Sequence, residues 1–155
     1  MKEVGTLKRG YDQMVQAARS GKQNIAEGSM ASGTSKKFEL KLVGVARASL
    51  EELLLDFQDY LRQKGLPLWE KDHPKARQVR GLCYIKNRSY LTYKSYIENS
   101  ASEIAANTMV CLIHQTNYLL DQQLRTLEKE FLNEGGFTEK LYHTRLQMRN
   151  RRRKK

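Results

Sequence analysis

SKKFELKLVGVARASLEELLLDFQDYLRQKG, residues Ser35 to Gly65, is the stretch that decides the fold. Its apolar residues recur every three or four positions and no proline interrupts them, which is the period of an amphipathic helix. Phe38, Leu42, Ala46, Leu50, Leu53, Phe57 and Tyr60 form one stripe, and Val43, Leu54 and Leu61 widen it beyond a single seam. A face that broad needs more than one neighbour, so this helix is expected to be the central stave of an all-α, antiparallel helix bundle.

The flanking residues punctuate the stave. Gly28 follows Glu27 where a left-handed C′ residue would end a preceding helix, a conformation that glycine adopts without a Cβ penalty. Ser29 to Gly33 then reads as a small polar loop, and Thr34 or Ser35 is placed to cap the next helix by accepting a backbone N–H. Gly65 closes the stave, and Pro67 blocks its resumption.

Ahead of the loop, residues 1–10 show no clear pattern, with Gly5 and Gly10 both unfavourable inside a helix. From Tyr11 a short N-terminal helix is expected, with Met14, Ala18, Gly21 and Ile25 on its packed face, Ala17 beside them, and Arg19 and Lys22 pointing away. Such small residues let another helix approach closely. A second long helix is predicted over Ala101 to Asn133. Its near-heptad stripe is Ala105, Met109, Leu112, Thr116, Leu119, Gln123, Leu127 and Phe131, broadened by Ile104, Cys111, Tyr118, Leu120 and Leu124, and Glu134-Gly135-Gly136 ends it.

Between the long helices the chain is less regular. Leu66, Leu68 and Trp69 are expected to tuck the connection against the end of the bundle, and His73 before Pro74 reads as turn chemistry. Residues 75–99 form a weaker helical region that breaks at Asn87-Arg88-Ser89 or at Asn99-Ser100. Val79, Leu82, Cys83 and Ile85 share one face there, followed by Tyr84, Tyr90, Tyr93 and Tyr96, interleaved with Lys75, Arg77, Arg80, Lys86, Arg88 and Lys94. Aromatics interleaved with cations suit nucleic acid, but tyrosines also line bundle edges with their hydroxyls in water, and the second reading is preferred. From Phe137 a short helix slides into a basic tail, so the chain divides into a bundle over 1–136 and a C-terminal helix and tail over 137–155.

With 28 Lys and Arg against 17 Asp and Glu, the net charge is +11 and the isoelectric point about 9.7, an excess that favours anionic partners. No apolar run approaches the roughly 20 residues of a membrane span, and Met1-Lys2-Glu3-Val4-Gly5 has no apolar core of a signal peptide. A cytoplasmic protein is therefore expected, with Cys83 and Cys111 as small buried residues rather than a disulfide. His114, Asn117 and Asp121 share a helical face, but no nucleophile or second carboxylate completes a catalytic set, so an interhelical hydrogen-bond network is expected. The histidines at 73, 114 and 143 are scattered and no carboxylate cluster suggests a metal, so neither an enzyme nor a cofactor is expected.

At Gln23-Asn24-Ile25-Ala26-Glu27-Gly28, Ser35-Lys36-Lys37-Phe38-Glu39 and Ala46-Arg47-Ala48-Ser49-Leu50-Glu51-Glu52-Leu53, the sequence resembles the four-helix bundle family of ribosomal-RNA intervening-sequence proteins. That family includes the accessory variability proteins of diversity-generating retroelements. Ala105-Ala106-Asn107, Cys111-Leu112-Ile113-His114-Gln115, Asn117-Tyr118-Leu119-Leu120-Asp121 and Glu134-Gly135-Gly136 look like the branch with a C-terminal four-helix-bundle suffix. The resemblance covers most of residues 12–140. The family pattern has a complete helix ahead of the segment matching Asp12-Gln13-Met14, where eleven residues stand here.

The resemblance implies a non-enzymatic bundle that assembles into a ring, typically a homopentamer, with a basic surface for RNA or DNA. In the retroelement branch the ring also docks on a reverse transcriptase. The cations expected to meet phosphates are Arg19, Lys22, Lys36, Lys37, Lys41 and Arg47, and in the tail Arg149, Arg151, Arg152, Arg153, Lys154 and Lys155. The alternative is a protein-interaction scaffold whose basic face meets an acidic or RNA-bound partner, with little nucleic-acid affinity of its own.

Overall fold

The structure, a computed structural model, describes the backbone of residues 2–33, 35–135 and 137–153, and within these the side chains outside 2–9, 134, 137 and 153. The described residues are all helical or irregular, with no strand. They form α1 (Lys2–Ala31), α2 (Lys36–Gln63), α3 (Pro74–Gly81), α4 (Tyr90–Ile97), α5 (Ser102–Glu134) and α6 (Phe137–Arg153), with one 3-10 turn at Leu82–Tyr84.

The stretch α2 begins and ends as its sequence dictates. Ser35 is the N-cap, its hydroxyl accepting the Phe38 N–H at 3.3 Å, while Thr34 lies outside the described residues. At the other end Gly65 takes φ +63°, the Leu66 N–H reaches the Leu61 carbonyl at 2.9 Å and the Gly65 N–H reaches Arg62 at 3.1 Å. This pair of bonds is a Schellman closure, which requires the left-handed residue that glycine supplies.

Helix α2 is central because its two flanks pack on different partners. On one flank Ala17 joins Leu53 in the core, Gly21 lies against Leu50, and Gly28 lies against Val43 and Leu42, so contact partners descend along α2 as they ascend along α1. Toward α5, Val43 and Leu53, which also touch α1, and Ala46 and Leu54 meet Val110, Ile113, Leu120 and Leu127, again in opposite residue order.

Helix α1 corrects two expectations. It is 30 residues long, so the chain has three long helices rather than two and a shorter one, and residues 2–10 are part of it. About 1 kcal/mol of lost propensity at each of Gly5 and Gly10 is a weak local penalty against a helix of that length. Helix α1 also runs straight through Gly28 to Ala31. Gly28 is therefore no C′ residue; it is buried at a close helix crossing, and the positive-φ glycines among the described residues are Gly65 and Gly135.

Helix α5 spans almost the predicted range, but its buried face is rotated from the predicted stripe. Ala106, Val110, Ile113, Asn117, Leu120 and Leu127 are buried, whereas Leu119 is 65% and Tyr118 63% exposed. Met109-Val110-Cys111-Leu112-Ile113 is apolar on all sides, so periodicity there is compatible with more than one phase.

The connection after α2 is held by a buried asparagine. Asn107 Oδ1 accepts the Trp69 N–H at 2.8 Å, and its Nδ2 donates to the carbonyls of Pro67 and Glu103, each at 2.9 Å. The Trp69 indole donates to Glu103 at 3.0 Å and packs with Ala76, Val79 and Cys111, which brings α3 onto α5. Of the three residues expected to tuck in, Trp69 is buried, Leu66 half-buried and Leu68 exposed. His73 serves the turn: it caps α3 through Nδ1, which accepts the Lys75 N–H at 3.3 Å, and it stacks on Trp69. Cys111 is buried and its thiol pKa is pushed up by that burial, but Cys83 is only half-buried; both are free thiols. Beyond Gly135, Thr138 to Arg152 of α6 are exposed throughout, and Gly136 lies outside the described residues.

Gly28 separates the two roles a glycine plays. A Cβ at Gly28 would meet Val43 Cγ2 at 3.4 Å and Leu42 Cβ at 3.5 Å, ordinary contact distances. Gly28→Ala is therefore expected to stabilise by about 0.5–1 kcal/mol through helix propensity, measured as a denaturation midpoint by far-ultraviolet circular dichroism. A destabilised Gly28→Ala would instead show that the crossing is too close for a Cβ.

Candidate nucleic-acid interface

The cations picked out by the sequence fall into distinct settings. Lys36 and Arg47 are tied to carboxylates of α5. Lys36 Nζ lies 2.8 Å from Glu130 and 3.5 Å from Glu39, and the hydrogen bond to Glu130 is the largest cause holding its pKa above the ordinary lysine value. Arg47 donates from Nε to Asp121 at 2.9 Å and from its terminal nitrogen to Glu51 at 2.6 Å, and Asn117 Nδ2 donates to the same Glu51 oxygen at 3.3 Å. Asn117 and Asp121 thus belong to an interhelical network as expected, whereas His114 stands outside it, exposed. These pairs set the register of α2 on α5, and their positive charge is already largely answered.

Lys37 and Lys41 differ. Both are exposed on the first turns of α2, and no ion pair engages either among the described residues. Lys37 also sits in the first helical turn, where the macrodipole disfavours a cation unless an anion is nearby. The Lys36–Glu130 pair brings the C-terminal end of α5 to this place, and with it exposed Arg125 and Lys129, which the sequence reading did not single out. Their four-residue spacing, which puts both on one side of a helix, was the signal that could have found them.

Helix α6 starts from the same end and adds exposed Arg145, Arg149, Arg151 and Arg152. The Arg153 side chain, Lys154 and Lys155 lie outside what the structure describes. Arg19 and Lys22 are exposed but are not brought to this end. They lie nine and more residues before Ala31, about 14–18 Å back along the axis, on the side of α1 turned from the Ala17–Gly21–Gly28 seam.

The opposite half of the α1/α2 pair is acidic. Asp12, Glu52 and Asp56, with Gln13, Gln16, Ser20 and Ser49, line a cleft of about 600 Å³. Burial, with Asp59 and Glu52 close by, holds the Asp56 carboxyl pKa above its ordinary value. The carboxylates of this cleft make it unsuited to a polyanion. Among the described residues no group of three or more His, Cys, Asp or Glu is placed to hold a metal, and no helix is long and apolar enough to cross a membrane. Comparisons with protein-family models, curated proteins and solved structures found no match.

Two measurements test this electrostatic arrangement. Arg47→Gln is expected to cost about 1 kcal/mol, because its pairs are partly exposed, and adding Asp121→Asn should cost less than the sum of the single changes. For Asp56, a raised pKa means that the folded state holds its proton longer than the unfolded chain. Stability therefore falls as pH rises from the ordinary carboxylate value through the raised one. Asp56→Asn should be more stable than the wild type at neutral pH, and this advantage should vanish in thermal melts as pH drops below the carboxylate range.

Proposed function

We propose that this chain is a non-enzymatic nucleic-acid-binding protein that works as an oligomer in the cytoplasm without a cofactor. The observation that carries the reading is α6. It has seventeen residues with exposed side chains from Thr138 to Arg152, and it contains five arginines against the single carboxylate Glu139. A helix of this kind gains nothing from burial, so its arginines are left for phosphates. Lys37, Lys41, Arg125 and Lys129 extend the same end. Binding would proceed by neutralising phosphates and releasing counterions, which makes it salt-sensitive and largely independent of sequence.

The family resemblance extends this reading to a ring of about five subunits and to a place beside a reverse transcriptase of a diversity-generating retroelement. Large apolar side chains left in water support self-association: Met30 is 83%, Leu132 81%, Leu55 54% and Phe38 50% exposed. The same exposure favours a second reading, a scaffold that meets a protein partner and holds RNA only weakly when alone.

The test is salt-dependent binding of a generic structured RNA, with absolute mass from light scattering. Deleting residues 138–155 should weaken binding, and so should Lys37→Gln, Lys41→Gln, Arg125→Gln and Lys129→Gln together. Each lost phosphate contact should lower the magnitude of the log–log salt slope by roughly 0.7–0.9, with the number of subunits unchanged. A wild-type protein with no RNA affinity even at low salt would overturn the reading in favour of the scaffold.

A further inference from the structure

Resting on the nucleic-acid reading, we propose that Leu82–Leu91 is a stacking site for an unpaired nucleobase of single-stranded RNA or DNA. In this site Tyr84 supplies the ring face, and Lys86 and Arg88 meet the adjoining phosphates.

The first observation is exposure. Tyr84 is 88%, Leu91 74%, Tyr90 54% and Ile85 46% exposed, whereas Tyr96, from the same tyrosine row, packs against the Trp69 cluster. Four such side chains within eight residues are a patch rather than the scattered exposed apolar groups of any surface. The preferred sequence reading, tyrosines along a bundle edge, describes Tyr96 and fails for Tyr84.

The second observation is charge. From His73 to Ile97 the chain has no carboxylate and six cations. Three of these are engaged: Arg77 with Asp72, Lys94 with Glu98, and Arg80 with the Lys71 carbonyl. Lys75 lies 5.5 Å over the Trp69 ring. Lys86 and Arg88 remain exposed with no ion pair among the described residues.

The third observation is that the segment is pinned at both ends. Gln115 of α5 donates to the Arg80 carbonyl at 3.2 Å, and the Ile85 N–H closes the 3-10 turn on Leu82 at 3.2 Å. Asn87 turns the chain with φ +60°, and Ser89 and Thr92 form a capping box at the start of α4. Tyr90 is further fixed by its hydroxyl, which donates to the Glu98 carboxylate. The backbone that carries the rings is thus held in an ordered turn, so a ligand need not order it.

Ring faces next to unpaired cations are the chemistry of single-strand binding, in which bases stack on aromatics while Lys and Arg follow the backbone. A duplex keeps its bases stacked on one another and offers no free face. An apolar protein partner would have to desolvate Lys86 and Arg88 without an answering charge. Gln115 lies fifteen residues from Glu130, about 22 Å along α5 from the basic end, so this site is separate from that one.

The experiment measures fluorescence anisotropy of a labelled oligouridine and of a labelled blunt RNA duplex against the full chain and its variants at fixed salt. Tyr84→Ala is expected to weaken oligouridine binding by about 5- to 100-fold and to leave duplex binding within about twofold. Tyr84→Phe, which keeps the ring, should bind oligouridine like the wild type. Unchanged oligouridine affinity in Tyr84→Ala, with wild-type binding of both probes, overturns the stacking site and leaves the nucleic-acid reading intact. In that case a changed light-scattering mass would assign the patch to protein contact. Equal losses for both probes, or equal losses in Tyr84→Ala and Tyr84→Phe, also overturn it. A wild type that binds neither probe removes the underlying reading, and the stacking site with it.

Discussion

At Gly28 the nearest side-chain carbons of α2 stand 3.4 and 3.5 Å from where a Cβ would be, and at Gly21 a Leu50 methyl stands 3.0 Å from that point. Buried Ala17 and Ala31 extend the same seam. Small residues at helical spacing thus bring the backbone of α1 close to α2, and the Leu and Val side chains of α2 fill the space a larger partner would take. The Ser20–Ser49 hydroxyl contact at 2.8 Å forms only because the helices are this near.

The contact of α2 with α5 is fixed by polar groups as much as by apolar ones. The pairs Lys36–Glu130, Arg47–Asp121 and Asn117–Glu51 mark successive levels of the α2/α5 contact. The two ion pairs are partly exposed and contribute only about 0–1 kcal/mol each, whereas Asn117 is buried. A slide of one helical turn would break all of them together, so their effect is on register more than on total stability. Asn107 acts similarly at the far end. It holds the Pro67–Trp69 connection by two hydrogen bonds and is itself fixed to the Glu103 carbonyl of α5 by a third.

The parts of the fold legible in sequence are those decided locally. Helix α2 could be read because its caps, its Schellman glycine and its apolar stripe all lie within about thirty residues and agree. Gly28 misled because a glycine on the packed face of a helix and a glycine at a left-handed cap look alike in sequence, and only the partner helix distinguishes them. The α5 stripe was misphased because its middle is apolar on every side, while buried Asn107, which helps to fix the phase, is polar and looks like surface. For the candidate site, the basic excess and the arginine run were plain. What could not be read was which cations are already answered, since the carboxylates facing Lys36 and Arg47 lie far along the chain on α5. The tyrosine row looked uniform for the same reason: the core that covers Tyr96 and leaves Tyr84 in water is assembled from α3, α4 and α5.

Helix α6 shows how such an arrangement bears on the proposed function. Three of its five arginines stand at positions 145, 149 and 152, where side chains three or four residues apart on a helix are neighbours and like charges repel. The last of them also face the negative end of the helix dipole, which favours them. With its described side chains in water, α6 has no buried face to outweigh that repulsion, so its stability depends on the charges around it. A phosphate backbone would supply counter-charges at the repelling positions, and ordering of the helix and binding of the polyanion would then be linked: whatever strengthens one strengthens the other.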